Sequence, residues 1–425
     1  MLRRLLRKSA KPFGLLPLAV VVGPKEGSSS SWTNNAPNRL RTTSFQQTST
    51  YRCYSIVQHK PDDLDIIFDF NYATSQLHAQ HHHHFVFNGE QSGQILQLID
   101  LAMAILSNGN TQEKVNLTQK ASFLNHETAN CDQISSQDFS EAIRERKQLY
   151  LTQFAHETYM PERPELPKLL DDMKQIPMNY KQAGVSLPVF LLHNMAHIEL
   201  NAIDLCWHTC LMCLLHRIEP RDDHHSREDE SSESKSIGTS NGGELPLEDF
   251  INDFIKIAKD ESRHFVELSD RLKELGSFYG KVDSHRAIWN LARDTQLSLM
   301  ERLVIGNCVL EGRGLDSGER LISKMIGCGD VKSSKLVQTI CDEEEDHVRI
   351  GVKWFDLLSQ HMFPSESIPI GDLATFQKQI FQQIVLKHYG PLPGPFNHVS
   401  RQSANMKQEW YEEISREKLI PKKHK

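Results

Sequence analysis

The chain reads DESRHF at residues 260–265 and DEEEDHVRIGVKWF at residues 342–355, and each stretch contains a Glu-x-x-His pair. The two pairs are Glu261 with His264, and Glu344 with His347. Side chains three positions apart project from one face of an α-helix within a single turn. Each pair therefore predicts a helix that presents a carboxylate and an imidazole side by side, close enough to reach a common ion.

Both pairs interrupt helical stripes that are otherwise apolar. The first stripe advances by three or four residues at every step and consists of Phe250, Phe254, Ile257, Glu261, His264, Leu268, Leu272 and Leu275. The second has the same kind of spacing and consists of Ile340, Glu344, His347, Gly351, Trp354 and Leu358. This spacing predicts amphipathic helices over residues 247–275 and 334–360, with the polar pairs facing a core.

A lone glutamate lies on a further predicted helix upstream of each pair. Glu199 falls in the apolar segment 187–218, and Glu311 shares a face with Leu297 near the end of segment 284–312. Four carboxylates and two imidazoles that face one helical core are costly to bury unless cations neutralise them. We therefore predict a site for two metal ions. Its ligands are Glu199, Glu261, His264, Glu311, Glu344 and His347.

Two divalent ions would balance four carboxylates while both imidazoles stay neutral. Mixed oxygen and nitrogen ligands favour iron, with manganese as the alternative, and no thiolate lies on either stripe. Glu301 could replace Glu311 as a ligand, and Glu343 could replace its neighbour Glu344. The first Glu-x-x-His pair could instead be a surface ion pair. The residues expected to hydrogen-bond the ligands are His193, His197, Asp260, Arg263 and Asp342.

Four long helical segments in one chain predict an all-α fold, with a four-helix bundle over residues 186–360. Residues 219–246 would form a disordered acidic insertion in this bundle, because they are rich in Ser, Asp, Glu and Gly. Before the bundle we expect a mixed low-complexity segment at 55–93, and then N-terminal helices and a Pro-rich connection at 94–185. A C-terminal extension at 361–425 is expected to pack on the bundle.

The first 54 residues differ in composition from the rest of the chain. They contain nine basic residues and one acid, and they are rich in Ser and Thr. This composition is typical of an organelle transit peptide. Arg52-Cys53-Tyr54-Ser55 resembles a mitochondrial processing site, so we expect a mitochondrial protein. A plastid signal, a secretory signal and a disordered tail are the alternatives.

Charge and hydropathy restrict the partners of the protein. The full chain has a net charge of −7, and removal of residues 1–54, which carry +8, leaves −15. Such a protein is not expected to bind nucleic acid, because phosphate contacts need Lys and Arg. No uninterrupted apolar run reaches the roughly 18 residues of a membrane span. The eight scattered cysteines form no disulfide framework.

Several motifs resemble an uncharacterised ferritin-like family that is distantly similar to the tRNA hydroxylase acting on isopentenyl-type adenosines. The matching stretches are RPELP at 163–167, HNMAHIELNAIDL at 193–205, DESRHF, VLEGRGLD at 309–316, DEEEDHVRIGVKWF, and GPFN at 394–397. The resemblance spans residues 94–410. It implies a ferritin-like four-helix bundle and the same six metal ligands. The insertion at 219–246 and the acids Glu345 and Asp346 depart from the family's pattern.

The hydroxylase relative implies oxygen activation, by analogy at the level of the fold. Our first hypothesis is an O₂-dependent oxidoreductase, a hydroxylase that acts on an unknown small-molecule substrate and receives electrons from an unknown donor. One alternative is an iron-binding or ferroxidase-type protein without an organic substrate. Another is a non-catalytic bundle that keeps the polar cluster. The −15 charge disfavours a tRNA substrate, and the sequence predicts no oligomeric state.

Overall fold

The structure is a computed structural model. It describes residues 54–60, 63–68, 85–87, 89–121, 134–154, 159–172, 174–216, 218–220, 245–362 and 372–419. Most of the predicted transit peptide, residues 1–53, and the middle of the predicted acidic insertion, residues 221–244, lie outside these described residues.

The described part of the chain is mostly helical, which confirms the predicted all-α class. Its helices are α1 (Ser92–Leu106), α2 (Thr111–Lys120), α3 (Ser136–Gln153), α4 (Tyr180–Ala183), α5 (Leu187–His216), α6 (Leu247–Glu274), α7 (Ala287–Asp294), α8 (Leu299–Arg302), α9 (Gly312–Gly327), α10 (Val331–Met362), α11 (Leu373–His388), α12 (His398–Ser403), α13 (Gln408–Glu412) and α14 (Arg416–Leu419). A π-helical segment, Leu303–Glu311, joins α8 to α9 without a break. We call residues 299–327 the composite helix.

The strands are short and were not predicted. They are β1 (Tyr54–Lys60), β2 (Asp63–Phe68), β3 (Phe85–Phe87), β4 (Leu169–Leu170), β5 (Ile218–Pro220), β6 (Leu245–Pro246) and β7 (Ser284–His285). Strands β1 and β2 form an antiparallel pair in a compact unit of their own. In the other unit, β3 pairs in parallel with both β5 and β6, and β4 pairs in parallel with β7. The helices belong to this second unit.

Four long helices pack together and carry the predicted ligands. Helix α5 packs against α6, the composite helix packs against α10, and α10 also contacts α6. Helix α5 is largely apolar, and every residue from Glu199 to Leu215 is buried. By length and composition it could cross a membrane, but 94% of its most apolar window is buried inside the protein. This burial is what the central helix of a folded core requires.

The composite helix differs from the predicted segment 284–312. The chain forms β7 and α7 first, and a new helix begins at Leu299, where the Ser298 side chain accepts a hydrogen bond from the backbone N–H of Glu301. Leu297 lies before this helix and is 74% exposed, so the prediction that it shares a face with Glu311 is wrong. Gly312 was expected to end the helix, but its φ of −56° is helical, and a glycine ends a helix when it turns left-handed.

The C-terminal segment is fastened to the composite helix by a buried ion pair. Arg401 Nε donates to Asp316 Oδ1 at 2.9 Å, and Nη2 donates to Oδ2 at 2.8 Å. Nη2 also donates to the carbonyl oxygen of Gly312 at 3.1 Å. Both side chains are almost fully removed from water. A bidentate ion pair of this kind fixes both position and orientation. Helix α12 is therefore held beside the end of the π-helical segment.

Close packing between the π-helical segment and α10 depends on a glycine. A Cβ added at Gly351 would lie 2.4 Å from Cβ of Asn307, which no side-chain rotation can relieve. We expect Gly351→Ala to lower the free energy of unfolding by about 1–3 kcal/mol, because the two helices must move apart. The control is Gly327→Ala, since a Cβ there meets nothing within 4 Å. Denaturant unfolding of both variants checks this, and equal stability would contradict it.

Candidate metal centre

Three helices bring four of the predicted ligands together. Glu199 comes from α5, Glu261 and His264 come from α6, and Glu344 comes from α10. Each offers one ligand atom, and these atoms all lie within 4.8 Å of one another. All four side chains are buried. The i, i+3 spacing on α6 brings its carboxylate and imidazole to the same point, as expected for neighbours on one helical face.

The imidazole of His264 faces three carboxylates at once. Its Nδ1 atom is 3.6 Å from Glu199 Oε2, 3.8 Å from Glu261 Oε2 and 3.7 Å from Glu344 Oε1. These distances are too long for hydrogen bonds. They are short enough for all four atoms to surround one ion.

The imidazole of His347 completes a second, similar group. Its Nδ1 atom is 2.9 Å from Glu261 Oε1 and 3.1 Å from Glu344 Oε2. The rings of His264 and His347 are 6.0 Å apart, centroid to centroid. Glu261 and Glu344 therefore each direct one oxygen toward one imidazole and the second oxygen toward the other.

Glu311 is the sixth predicted ligand and ends the π-helical segment. Its side chain is half-buried. Burial raises its pKa well above the usual value, and the negative charges of Glu344 and Glu261 raise it further. Glu311 is thus close enough to the two shared carboxylates to feel their charge, although it is not one of the four residues grouped above. The alternative ligand Glu301 is directed elsewhere, toward Lys387 at 2.6 Å and His388 at 3.0 Å.

Several polar atoms at the centre of this cluster have no hydrogen-bond partner within the described residues. They are both carboxylate oxygens of Glu261 and the Nδ1 atom of His264. Both side chains are fully buried. A buried polar atom without a partner costs roughly 1–3 kcal/mol, and more when it is charged. Because these atoms converge on a common space instead of pairing, the residues fit a bound cation.

The carboxylates strongly perturb the protonation of the cluster. Burial alone would lower the pKa of His264, but the carboxylates of Glu199 and Glu261 outweigh it and raise that pKa to about 11. Burial and the negative charge of Glu261 raise the pKa of Glu199 well above its usual value. Without metal, protons are thus held at the cluster to limit its negative charge, and cations at the same place would replace them.

An acid on the opposite helix lies at the outer side of each histidine, and His264 is hydrogen-bonded to its acid whereas His347 is not. His264 Nε2 donates to Glu343 Oε2 at 2.5 Å, and His347 Nε2 lies 3.5 Å from Asp260 Oδ2. Arg263 joins both acids, through Glu343 at 2.7 Å and Asp260 at 3.1 Å. When Nε2 of a neutral histidine carries the proton, Nδ1 has a lone pair available for a metal.

The sequence suggested Glu343 only as an alternative metal ligand to Glu344. Sequence symmetry could have identified its actual position. Asp260 directly precedes Glu261, and Glu343 directly precedes Glu344. Asp342 was expected to hydrogen-bond a ligand, but it is exposed and accepts a hydrogen bond from Gln338 instead. One residue of helix corresponds to about 100° of rotation, which turns Asp342 away from α6.

His193 and His197 are buried on α5 but bind the loop that follows α6. His193 Nε2 accepts from the backbone N–H of Gly280 at 2.9 Å. His197 Nε2 contacts the carbonyl oxygen of His285 at 2.8 Å, and its Nδ1 contacts the Tyr279 hydroxyl at 3.0 Å. Burial lowers the pKa of His193 to about 4. These contacts position the loop beside α5, and none of them reaches a predicted ligand.

Comparison with known proteins identifies relatives but no activity. Residues 108–412 match the family described as "Protein of unknown function (DUF455)", and this range includes all six predicted ligands. An uncharacterised protein of Haemophilus influenzae is 34% identical over 111 residues, which is 26% of this chain and 38% of that protein. This chain thus matches well under half the length of that relative. No solved structure matches. Since the family match covers most of the sequence, the chain belongs to the DUF455 family.

Proposed function

We propose that this protein is a dimetal carboxylate oxidoreductase with a ferritin-like four-helix bundle. The bundle consists of α5, α6, the composite helix and α10, and each contributes at least one acid to the centre. In proteins of this kind, two helices supply one Glu each and two supply Glu-x-x-His. The order Glu199, Glu261-x-x-His264, Glu311, Glu344-x-x-His347 follows that scheme.

The observation that carries the proposal is the sharing of two carboxylates between two imidazoles. Glu261 and Glu344 each direct one oxygen to within 4 Å of His264 Nδ1 and the other to within 4 Å of His347 Nδ1. A carboxylate in this position would hold two cations, one at each oxygen. Glu199, beside His264, would complete the ligands of one ion, and Glu311 would complete those of the other.

Iron is the proposed metal, with manganese as the alternative. Carboxylate oxygens and imidazole nitrogens suit both ions, and no cysteine belongs to the group. Six protein ligands for two ions would leave coordination positions open. A bound ferrous pair would supply electrons for the reduction of O₂, coupled to oxidation of a C–H bond in a small organic substrate. An external electron donor must then restore the ferrous state.

The protein's own residues do the positioning and the shielding. Glu261 and Glu344 supply the negative charge that holds two cations at short range. Glu343 fixes the ring of His264 through a hydrogen bond, and Asp260 lies 3.5 Å from Nε2 of His347. In both rings Nδ1 faces inward. Burial of the cluster excludes bulk water, which strengthens every charge interaction there.

The proposed activity is tested by anaerobic loading of the full chain with two equivalents of Fe²⁺, followed by rapid mixing with O₂. We expect oxygen consumption together with a transient visible absorbance change that requires both ions. If no oxygen is consumed, the oxidoreductase proposal is wrong. Oxygen consumption that releases ferric iron at every turnover would instead favour a ferroxidase.

Removal of the acid behind His264 should weaken the centre without removing a ligand. We expect Glu343→Gln to lower metal affinity about 10- to 100-fold, because an amide holds the imidazole less firmly than a carboxylate does. Competition with a chelator measures this. The control is Asp342→Asn, one residue earlier on α10, where the side chain is exposed and bonded to Gln338. Equal losses in both variants would contradict the role of Glu343.

A further inference from the structure

The six predicted ligands are not equally shielded from solvent. Glu261, His264 and His347 are each 0% exposed. Glu199 and Glu344 keep 5% and 6% of their surface, and Glu311 is half-buried. The surface that the ligands still expose therefore belongs to residues of α5, α10 and the composite helix, and none of it belongs to α6.

Helix α5 and the composite helix run antiparallel along this side. Arg302 Nη1 donates to Thr209 Oγ1 at 3.4 Å. Gly306 lies four residues after Arg302, and Leu205 lies four residues before Thr209. A Cβ on Gly306 would lie 3.3 Å from Leu205 Cδ2. Ile198 lies seven residues before Leu205 on α5, and Gly314 lies eight residues after Gly306 on the composite helix, so the two residues lie at about the same level.

At that level a Cβ built on Gly314 would have no atom of α5 within 4 Å. Ile198 lies seven residues before Leu205, on the same face of α5, yet it is 40% exposed. A Cβ built on Gly314 would meet only one atom within 4 Å, Glu344 Cγ at 4.0 Å. Space that no side chain fills therefore lies between Gly314 and Glu344, at the level of the exposed Ile198.

The α5 wall of this opening is apolar. Leu191 and Ile198 follow one another at seven-residue spacing on the face that continues from Leu205. Leu191 is half-buried, so this face remains accessible for about two turns, roughly 10 Å. Asn194, also on this face, is polar but uncharged. A charged group placed here would lose its hydration without gaining an ionic partner from α5.

We propose that the gap between Ile198 and Gly314 is the substrate entrance of the metal centre, and that it takes an uncharged organic molecule with an extended apolar portion. This inference rests on the proposed function and specifies its substrate class. The apolar portion lies along Leu191 and Ile198, and the end nearest Gly314 reaches the side of Glu199, Glu311 and Glu344.

The test is binding of N-phenyl-1-naphthylamine, an uncharged fluorescent probe, to the full chain with and without two equivalents of Fe²⁺ under anaerobic conditions. Straight-chain primary alcohols of six to ten carbons then compete with the probe. Alkyl sulfates of the same lengths are tested separately as charged competitors. Wild type should bind one probe per chain. Alcohol affinity should rise about fourfold per added CH₂, and the sulfates should compete at least tenfold more weakly.

The decisive variant is Gly314→Leu, which fills the gap. It should weaken probe binding at least tenfold. It should not unfold the protein, because Gly314 is helical, a Cβ there makes only an ordinary contact, and leucine favours helix over glycine. The matched control is Gly327→Leu on the same helix, where a Cβ meets nothing within 4 Å. It should stay within twofold of wild type.

Metal content of every sample separates the two proposals. If wild type holds two ions and Gly314→Leu binds the probe as wild type does, the entrance is wrong and the proposed function stands. If wild type holds no metal but Gly314→Leu alone loses probe binding, the gap is an apolar site and the proposed function fails. Probe binding that does not saturate, or sulfates that compete as well as alcohols, overturns the entrance and its substrate class.

Discussion

Replacement of Glu261 by alanine is expected to remove both metal ions from the protein. The two oxygens of this carboxylate face two different imidazoles, at 3.8 Å from His264 Nδ1 and 2.9 Å from His347 Nδ1. Its loss therefore opens both halves of the centre at once. We expect the metal content to fall from two ions per chain to less than a tenth of that value, measured by elemental analysis after purification without an affinity tag.

The metal-free proteins provide a second comparison. Burial would raise the pKa of Glu261, but its contacts with Glu199, His264 and His347 outweigh burial and lower that pKa. In the metal-free protein, removal of Glu261 therefore takes a negative partner from two imidazoles. The unfolding free energy of metal-free Glu261→Ala should therefore fall below that of metal-free wild type by no more than about 3–5 kcal/mol. Asp270→Ala, exposed on the same helix, should retain both ions. Full metal content in Glu261→Ala would contradict the bridging role.

Substitution of Asp204 by asparagine is expected to be the most destabilising change outside the metal centre. The Asp204 side chain is 0% exposed and is the shared partner of Lys114 and Arg163, which are 1% and 7% exposed. Lys114 comes from α2, Arg163 from the Pro-rich connection and Asp204 from α5. An amide leaves both cations buried without a negative charge, which costs about 3–5 kcal/mol. Denaturant unfolding at pH 7 measures this loss.

A surface pair provides the control for this effect. Asp100 accepts two hydrogen bonds from Arg146, but its side chain is 56% exposed. Exposed ion pairs contribute at most about 1 kcal/mol, so Asp100→Asn should change the unfolding free energy by less than that amount. If Asp204→Asn were no more harmful than Asp100→Asn, Asp204 would not be the anchor of the N-terminal elements.

The helices that the sequence predicted best are those with a regular apolar stripe. Helix α6, Leu247–Glu274, follows the predicted range 247–275 within one residue, because its stripe continues through the polar pair. Helix α2 was missed, since TQEKVNLTQK has few apolar residues and offers no stripe. Its start was nevertheless marked, because the Asn110 side chain accepts hydrogen bonds from the backbone N–H groups of Gln112 and Glu113.

The π-helical segment was beyond the reach of periodicity arguments. Those arguments assume 3.6 residues per turn, and a π-helix closes its hydrogen bonds one residue later. The wider turn changes which side chains share a face. Leu297 was wrongly assigned to the face of Glu311 because it lies before the helix begins at Leu299. Contacts made between distant parts of the chain hold the segment in place, including Gly351 against Asn307 and Arg401 on the Gly312 carbonyl. Local spacing carries no information about such contacts.

The sequence could predict that Glu199, Glu261, His264 and Glu344 lie together, because buried charges must be neutralised. Acids placed on apolar stripes must either face water or share cations. The outer acids were harder to assign, since Asp342 and Glu343 are adjacent and only one of them can face α6. Arg163 and Asp204 also needed the structure, because their ion pair joins residues 41 positions apart.

The most direct test of the central claim is the metal stoichiometry of the untagged full chain, combined with Mössbauer spectroscopy of the ⁵⁷Fe-enriched protein. The account predicts two iron ions per chain in two similar oxygen- and nitrogen-ligated environments, magnetically coupled after oxidation. Protein that contains no metal, or a single ion without coupling, would contradict it.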